Sequence, residues 1–235
     1  MVVNIDDGEV SLPSFIQVVV GGSPVALSSS RPWRGRVSAG REILESALRS
    51  GQTVYGVSTG VGNNSSRGVD NGTQVEYALS IMEQHGCGVG EPLSVTEGRA
   101  VVFARLVSLS KGYSAVRFSL LEAMRDLLNH DVIPAIPRLG FVGASGDLTP
   151  LSYVAAVMAG EREAWHRGRI VPARRALRAA GLATFAFAPK ETLAIMNGTS
   201  VMTALGLLAI ERLERIVAMA ERATALAAEV LCGRS

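Results

Sequence analysis

The chain has 235 residues, a length that suits one large domain or two small ones with a sizeable buried core. Hydrophobic residues make up 48% and charged residues only 19%, a balance that excludes a disordered chain. The net charge is +2 and no Lys/Arg cluster is dense, which argues against a nucleic-acid-binding protein. The one basic-leaning stretch, residues 162–178, is interpreted as a solvated helix face followed by a loop.

The location is inferred from the start of the chain, the cysteines and the apolar runs. Residues 1–10 are polar and acidic, unlike a signal segment. Cys87 and Cys232 give neither a disulfide framework nor a zinc-ligand pattern. The most apolar helical pattern, over residues 201–231, is interrupted by charged residues, so no membrane span is predicted. We expect a cytoplasmic protein with no metal site and no membrane or nucleic-acid partner.

The predicted elements begin with a strand over residues 11–20, which read SLPSFIQVVV and are followed by two glycines. An amphipathic helix over residues 38–50 comes next. A loop rich in Gly, Ser and Asn covers residues 56–72 and leads into a helix over 73–84. The first third of the chain is therefore predicted to mix one strand region with two helices.

The clearest predicted helix covers residues 94–111. Ser94 and Glu97 have the spacing of a capping box, and Gly112 is placed to end the helix. The later segments are a helix at 115–129, a non-helical stretch with two prolines at 132–143, and helices at 147–160, 172–180 and 199–231. The last helix has a wide apolar stripe, which needs partner helices to bury it. These elements predict a mainly α-helical fold with a few short strands.

A run of small residues precedes the helix at 147–160. Residues 140–150 read GFVGASGDLTP. By composition alone this run is typical of a tight turn in which Asp147 caps the helix. The whole string from Gly143 to Pro150, however, resembles the signature of the methylidene-imidazolone (MIO)-dependent ammonia-lyases and aminomutases, the family of histidine, phenylalanine and tyrosine ammonia-lyases.

The resemblance implies that Ala144-Ser145-Gly146 cyclises and loses two waters to form the MIO electrophile. This chemistry requires these residue types. The amide nitrogen of Gly146 must approach the Ala144 carbonyl, which the missing side chain of glycine permits. The Ser145 hydroxyl must be eliminated to leave an exocyclic alkene. Asp147 is implied to assist cyclisation by orienting the backbone of Ser145 and Gly146.

Three further segments resemble the same family, in the same order along the chain. VYGVSTGVG at 54–62 resembles the tyrosine loop, with Val61 where relatives commonly carry Phe. HGCGVGEPL at 85–93 resembles the segment with a substrate-pocket histidine, and MNGTS at 196–200 resembles the segment with an active-site asparagine. Taken singly, each residue is typical of an ordinary structural role. The resemblance implies the following assignments: Tyr55 as the general base, Gly62 and His85 in substrate binding, and Asn197 beside the electrophile.

A competing motif overlaps the tyrosine loop. Gly56-Val57-Ser58-Thr59-Gly60 fits G-x-S-x-G, the nucleophile elbow of α/β-hydrolases. That elbow requires a strand before the serine and a helix directly after it. Residues 53–55 could be the strand, but 62–72 are a poor helix and the chain lacks alternating strands and helices. The hydrolase interpretation is therefore disfavoured.

The implied reaction removes the amino group and a β-proton from an aromatic L-amino acid, with histidine or tyrosine expected because of His85. A general base supplies about 3–5 kcal/mol of the barrier reduction, and enzymes need about 8–23 kcal/mol, so an electrophile is required as well. An aminomutase would use the same residues and remains open. So does a third interpretation, an inactive, truncated helical module that oligomerises.

The expected domains are an N-terminal domain over residues 1–190, which carries the electrophile loop, and the first helix of a central helical bundle over 191–235. Family chains are about twice as long and form tetramers, so the resemblance implies a homotetramer. We expect this chain to be the N-terminal part of such a protein and to be inactive alone.

Overall fold

The computed structural model describes residues 1–70, 72–140 and 146–233. Helices hold 55% of the described residues and the strands there are few and short, which confirms the mainly α-helical prediction. The elements in chain order are β1 (Val3–Ile5), α1 (Leu12–Val19), β2 (Val25–Leu27), α2 (Arg31–Arg49), α3 (Gln74–Gln84), β3 (Val89–Pro92), α4 (Val95–Ser110), α5 (Phe118–Asn129), β4 (Ile133–Pro134), β5 (Pro137–Leu139), α6 (Leu148–Ala159), β6 (Glu163–His166), β7 (Arg169–Pro172), α7 (Ala173–Ala179), α8 (Glu191–Met196) and α9 (Ser200–Val230).

The helix α4 lies at the centre of the core. It packs against α1, α5, α8 and α9. Apolar side chains are fully buried around its whole circumference: Ala100, Val101, Val102, Phe103, Leu106 and Leu109. A helix that is apolar on all sides is typical of the interior of a domain, not of its surface. The same core includes residues of α6, α8 and the first turns of α9, so one hydrophobic cluster joins the elements on both sides of residue 190.

The short strands form three small sheets within the described residues. β1 and β2 pair in parallel, with Val3 opposite Val25. β3 and β5 pair antiparallel, and β4, β6 and β7 form an antiparallel sheet in the order β4-β6-β7. β6 and β7 are a hairpin whose two turn residues, Arg167 and Gly168, both have positive φ. That conformation is typical of a two-residue turn that matches strand twist.

Two sequence predictions are wrong in this part of the chain. Residues 11–20 form the helix α1 and not a strand. The Ser11 hydroxyl accepts a hydrogen bond from Ser14 N, and Phe15, Val18 and Val19 are buried on one helical face. A short apolar run fits both the two-residue period of a strand and the 3.6-residue period of a helix. The buried residues Phe15, Val18 and Val19 have the i, i+3, i+4 spacing of a helix. The basic stretch 162–178 is the β6–β7 hairpin followed by α7: the predicted helix is present, whereas the predicted loop is wrong, because those residues form a hairpin.

The other predicted helices are present in the structure, and two of them begin at a different residue from the one predicted. α2 begins at Arg31, seven residues before the prediction, because Ser30 accepts a hydrogen bond from Trp33 N and Trp33 is buried. α5 begins at Phe118 and not at 115, because Ala115 has a φ of 54° and Arg117 is extended. The predicted helices at 73–84, 94–111, 147–160, 172–180 and 199–231 are confirmed to within a few residues.

The stretch Glu191–Val230 is long and apolar enough to meet the length and composition test for a membrane span, with a window of mean hydropathy 1.7. The prediction that no run reaches this length is therefore wrong. Core helices of soluble proteins pass the same test, and 44% of this window is buried within the fold. The backbone also leaves the helix at Asn197 to Thr199. The absence of a membrane partner stays a prediction.

The predicted capping box at the start of α4 is confirmed. The Ser94 hydroxyl accepts from Glu97 N, and the Glu97 carboxylate accepts from Ser94 N at 2.8 Å. Arg138 on β5 donates to both oxygens of Glu97, at 3.2 and 2.8 Å. Burial acts to raise the pKa of Glu97, but the hydrogen bonds from Arg138 and Ser94 outweigh it and hold the pKa below its ordinary value. This carboxylate therefore joins α4 to the β3–β5 sheet.

We expect Glu97→Gln to lower the free energy of unfolding at pH 7 by about 0.5–1 kcal/mol, since the ion pair to Arg138 is lost. The pKa of Glu97 is depressed in the folded protein, so its contribution is present above the ordinary value of 4.5 and is lost as pH falls through the lower folded value. Urea unfolding of both proteins between pH 7 and about pH 3 measures the difference. It should shrink towards zero at the acid end, whereas the exposed control Glu91→Gln should differ little from wild type throughout. A difference independent of pH would contradict the prediction.

Candidate functional site

The tyrosine loop folds back on itself, so that Tyr55 meets Gly62. The Tyr55 hydroxyl accepts a hydrogen bond from Gly62 N at 2.9 Å. The tyrosine side chain is 55% exposed, which leaves its hydroxyl open to a ligand. Gly62 has a φ of 56°, in the left-handed region. Two of the residues that the resemblance singled out are thus in direct contact.

Ser58 and Thr59 shape the loop through their hydroxyl groups. The Ser58 hydroxyl accepts from Val54 N at 2.8 Å, and the Thr59 hydroxyl accepts from Gly56 N at 3.2 Å. The chain forms a turn from Tyr55 to Ser58, with irregular structure before it. The next regular structure is a single 3₁₀ turn at Gly62–Asn64. The strand-to-helix elbow that a hydrolase nucleophile requires is not formed around Ser58, so the hydrolase interpretation is wrong.

Gly56 brings this loop against α8. Its φ is 68°, and a Cβ atom at this position would lie 2.5 Å from Leu193 Cδ2. Only glycine allows both the left-handed backbone and this close approach. α8 ends at Met196, and its C-cap residue is Asn197, the asparagine that the resemblance singled out. The helix therefore connects the tyrosine loop to the asparagine segment.

Gly146 and Asp147 lie against the segment that joins α8 to α9. A Cβ atom on Gly146 would lie 2.8 Å from both Asn197 Oδ1 and Gly198 N, and Gly146 has a φ of 139°. Asp147 N donates to Gly198 O at 2.7 Å. The Asp147 carboxylate accepts from Val201 N at 2.9 Å and from Met202 N at 3.0 Å. The predicted cap on its own helix, α6, is therefore wrong: the Asp147 side chain caps α9.

Ala144 and Ser145, the other two residues of the predicted electrophile, lie outside the described residues. The described part of that segment resumes at Gly146. What the structure establishes is the surroundings of Gly146, the third residue of the tripeptide. They consist of the Asn197 side chain and the backbone of Gly198.

Arg105 is a buried cation beside the same segment. Its side chain comes from the middle of α4 and is 4% exposed. Nη2 donates to Asn197 O at 2.8 Å and to Ala194 O, and Nη1 donates to the Ser108 hydroxyl at 3.3 Å. Burial lowers the pKa of Arg105 to about 10, while the charge of Asp147 acts to raise it. The guanidinium group therefore remains charged at neutral pH.

Lys190 and Glu191, at the start of α8, have different surroundings. Glu191 is fully buried, and Arg117 donates to both of its carboxylate oxygens, at 2.9 and 2.6 Å. These hydrogen bonds act to raise the pKa of Arg117. Lys190 has a φ of 76°. Burial and the nearby charge of Arg105 lower the pKa of Lys190.

His85 ends α3, and its ring is bound to the helix itself. Nδ1 lies 2.8 Å from Ile81 O. The following segment is held by α6, since the Tyr153 hydroxyl donates to Gly86 O at 3.2 Å. Arg162 stacks over the Tyr153 ring at 4.1 Å. The ring of His85 thus contacts α3, and it is the next residue, Gly86, that is joined to α6. The role of His85 at the site stays a prediction.

Comparison with known proteins identifies the family. Residues 10–235 match the family described as aromatic amino acid lyase, which is nearly the whole chain. The chain belongs to the aromatic amino acid lyase family. The match includes every one of the four segments on which the sequence-based resemblance depends, from the tyrosine loop to the asparagine segment.

The relatives of this chain include histidine ammonia-lyases and a tyrosine aminomutase. A histidine ammonia-lyase of Myxococcus xanthus is 38% identical over 97% of the chain and 45% of its own length. The structure of a histidine ammonia-lyase from Trypanosoma cruzi matches 100% of the chain and 45% of its own, with 30% identity and a TM-score of 0.90. A tyrosine aminomutase from Streptomyces globisporus matches 90% of the chain and 39% of its own, with 35% identity and a TM-score of 0.84. The lyase chain spans about half the length of the curated relatives it matches.

We expect Gly56→Ala in this lyase chain to destabilise the folded state by about 1–3 kcal/mol, because the new methyl group collides with Leu193 and the backbone is strained. Gly51→Ala is the matched control: Gly51 has a φ of 75°, but a Cβ atom there meets nothing within 4 Å. Thermal unfolding gives the melting temperature of each variant. Because both variants share the strain of a positive φ, the difference between them measures the destabilisation caused by the collision with Leu193. Equal losses of stability would show that the loop does not depend on its contact with α8.

Proposed function

We propose that this chain is the electrophile-bearing part of an ammonia-lyase that acts on an aromatic L-amino acid, histidine or tyrosine, through an MIO group made from Ala144-Ser145-Gly146. The observation that carries the proposal is the packing of Gly146, within the signature sequence, against Asn197 and Gly198. The contact between Tyr55 and Gly62 supports the proposal further. It gives the hydroxyl of Tyr55, the proposed base, a hydrogen-bond donor on the loop that packs against α8.

The described surroundings fit this group at its glycine end. Gly146 has a φ of 139°, a conformation that residues with a side chain rarely adopt. A Cβ atom at this position would lie only 2.8–3.0 Å from Asn197 Oδ1 and from Gly198 N and O, so no side chain fits here. A backbone held in this way, with no side chain, suits an amide nitrogen that must approach a carbonyl two residues earlier.

Formation of the group is a balanced loss of two waters that needs no oxidant. The Gly146 nitrogen bonds to the Ala144 carbonyl carbon, and the carbonyl oxygen leaves as water with hydrogens from the Gly146 and Ser145 amides. The Ser145 hydroxyl then leaves as the second water with the hydrogen on its own Cα. In this proposal Asp147 assists by anchorage: its amide bonds to Gly198 O and its carboxylate to the first turn of α9.

In the reaction itself, the MIO group supplies an electrophile that turns the substrate's amino group into a better leaving group. Tyr55 takes the β-proton at its hydroxyl oxygen. The Gly62 N–H that points at this oxygen stabilises the negative charge that a tyrosine base must carry. Asn197 lies beside the electrophile and offers an amide donor to negative charge that develops there. His85 contacts the aromatic end of the substrate.

Activity requires more than the described residues provide. Relatives are about twice as long as this chain, and we propose that the enzyme is a homo-oligomer, a tetramer by family resemblance, that acts in the cytoplasm. The exposed apolar side chains along α9 support self-association. They include Met202, Ile210, Leu213, Ile216, Val217, Met219, Leu226 and Val230. Turnover by the 235-residue chain alone would contradict the requirement for further sequence.

A second candidate is an aminomutase, which returns the amine to the β-carbon. The likeness to the Streptomyces globisporus tyrosine aminomutase favours it. Product analysis with tyrosine and with histidine separates the two: an unsaturated acid and free ammonia identify a lyase, and a β-amino acid identifies an aminomutase. Neither product, from an assembled protein that carries the MIO group, would favour the inactive helical module.

We expect the tryptic peptide that covers residues 139–162 to have lost two waters in the purified protein. Mass spectrometry of the intact chain and of this peptide measures the loss. Ser145→Ala is the control, because without the hydroxyl the alkene cannot form and the second water cannot be lost. A wild-type peptide of full mass, both in this chain and in a longer form of the protein, would overturn the proposed function.

Tyr55→Phe should reduce turnover by about 10²–10⁴-fold, because the base is removed. The mass of the 139–162 peptide should be unchanged, since Tyr55 has no part in electrophile formation. Tyr113→Phe is the control, because Tyr113 is 86% exposed and belongs to the segment between α4 and α5. Steady-state ammonia release by the assembled enzyme measures both variants. Near-normal turnover by Tyr55→Phe would remove Tyr55 from the mechanism.

A further inference from the structure

The connection between α8 and α9 is held at its two ends by opposite charges. Arg105 donates to Ala194 O and Asn197 O, where α8 ends and its carbonyl groups carry partial negative charge. The Asp147 carboxylate accepts from Val201 N and Met202 N, where α9 begins and its amides carry partial positive charge. Each charge therefore satisfies backbone groups that the break in the helix would leave without partners.

Gly198 lies between these two charges. On one side, a Cβ atom at Gly198 would lie 2.0 Å from Arg105 Nη1, so the guanidinium group occupies the space of a side chain. On the other side, Gly198 O accepts from Asp147 N at 2.7 Å. The same residue touches the Cβ position of Gly146 through its N and O atoms. The position of Arg105 thus limits where Gly198 can lie, and Gly198 in turn limits where the backbone of Gly146 can lie.

We propose that Arg105 is a positioning residue for electrophile formation: it holds Asn197 and Gly198 against Gly146, so that the loop is presented in the conformation that cyclises. This inference rests on the proposed function, and it assigns a role to a residue that no motif contains. Arg105 contacts the segment beside the electrophile and not the reacting atoms described above.

The position of Arg105 in α4 supports this role over general stabilisation. α4 carries a second buried arginine, Arg99, which donates to Val18 O at 3.0 Å and to Asp131 at 3.1 Å, two turns away from the site. Both arginines bury a charge and both bind a carbonyl group. Only Arg105 contacts the α8–α9 connection. Arg99 is therefore a matched control on the same helix.

The experiment compares Arg105→Met, Arg105→Lys and Arg99→Met with wild type. Two readouts are used: the mass of the 139–162 peptide at intervals after synthesis, and amide hydrogen exchange at Asp147, Val201 and Met202 relative to core amides of α4. We expect Arg105→Met to slow the loss of two waters by about tenfold or more and to speed exchange at the three amides to a similar extent. Arg105→Lys should restore part of both, since an ammonium group can still donate to the carbonyl groups.

Arg99→Met should lower the melting temperature yet lose both waters at the wild-type rate. The inference is overturned if Arg105→Met matches wild type in both readouts, or if Arg99→Met slows the water loss as much at equal loss of stability. If Arg105→Met does not fold, Arg105→Lys decides: wild-type rates overturn the inference and slower rates support it. A wild-type peptide of full mass overturns the proposed function instead, and the exchange rates then decide whether Arg105 holds the segment.

Discussion

The break between α8 and α9 is the constraint around which the site is built. An otherwise continuous apolar helix leaves helical geometry at Asn197 to Thr199, close to the core. Such a break exposes carbonyl groups on one side and amides on the other, and inside a protein these groups need partners. Arg105 and Asp147 supply them from two other helices, α4 and α6. The buried charges are costly alone, and the helix ends make them favourable.

α8 has only six residues, yet it carries contacts to each part of the site. At its start, Glu191 is paired with Arg117 of the α5 cap. In its middle, Leu193 receives the tyrosine loop at Gly56. At its end, Asn197 meets Gly146. Residues that lie about 50 to 150 positions apart in the sequence are therefore brought together by one short helix, and a shift of α8 would displace both the loop that carries Tyr55 and the contact with Gly146.

The sequence was sufficient wherever a local pattern decides the structure. The capping box at Ser94 and Glu97 and the long last helix follow from spacing alone. The strand predicted at 11–20 failed because eight apolar-rich residues fit two periodicities, and burial against α4 decides between them. Arg105 left no local signal of its role: α4 contains two arginines, Arg99 and Arg105, and the sequence does not distinguish them, because the carbonyl partners of Arg105 lie about 90 residues later. The available hint was a charge within a largely apolar helix, which must be satisfied somewhere.

Electrophile formation and turnover depend on different parts of the molecule. The described groups that contact Gly146 or hold its neighbours all come from this chain: Asn197, Gly198, Asp147 and Arg105. Asp147 and Arg105 are buried, whereas Asn197 is exposed. Beyond Leu208, in contrast, the apolar side chains of α9 are exposed. The surface that continues from the site along α9 is therefore uncovered in the isolated chain. The proposed cyclisation needs only a rigid backbone around the loop, whereas binding a substrate needs a closed pocket. Under the proposed function, the chain therefore forms its electrophile before the pocket that uses it is assembled.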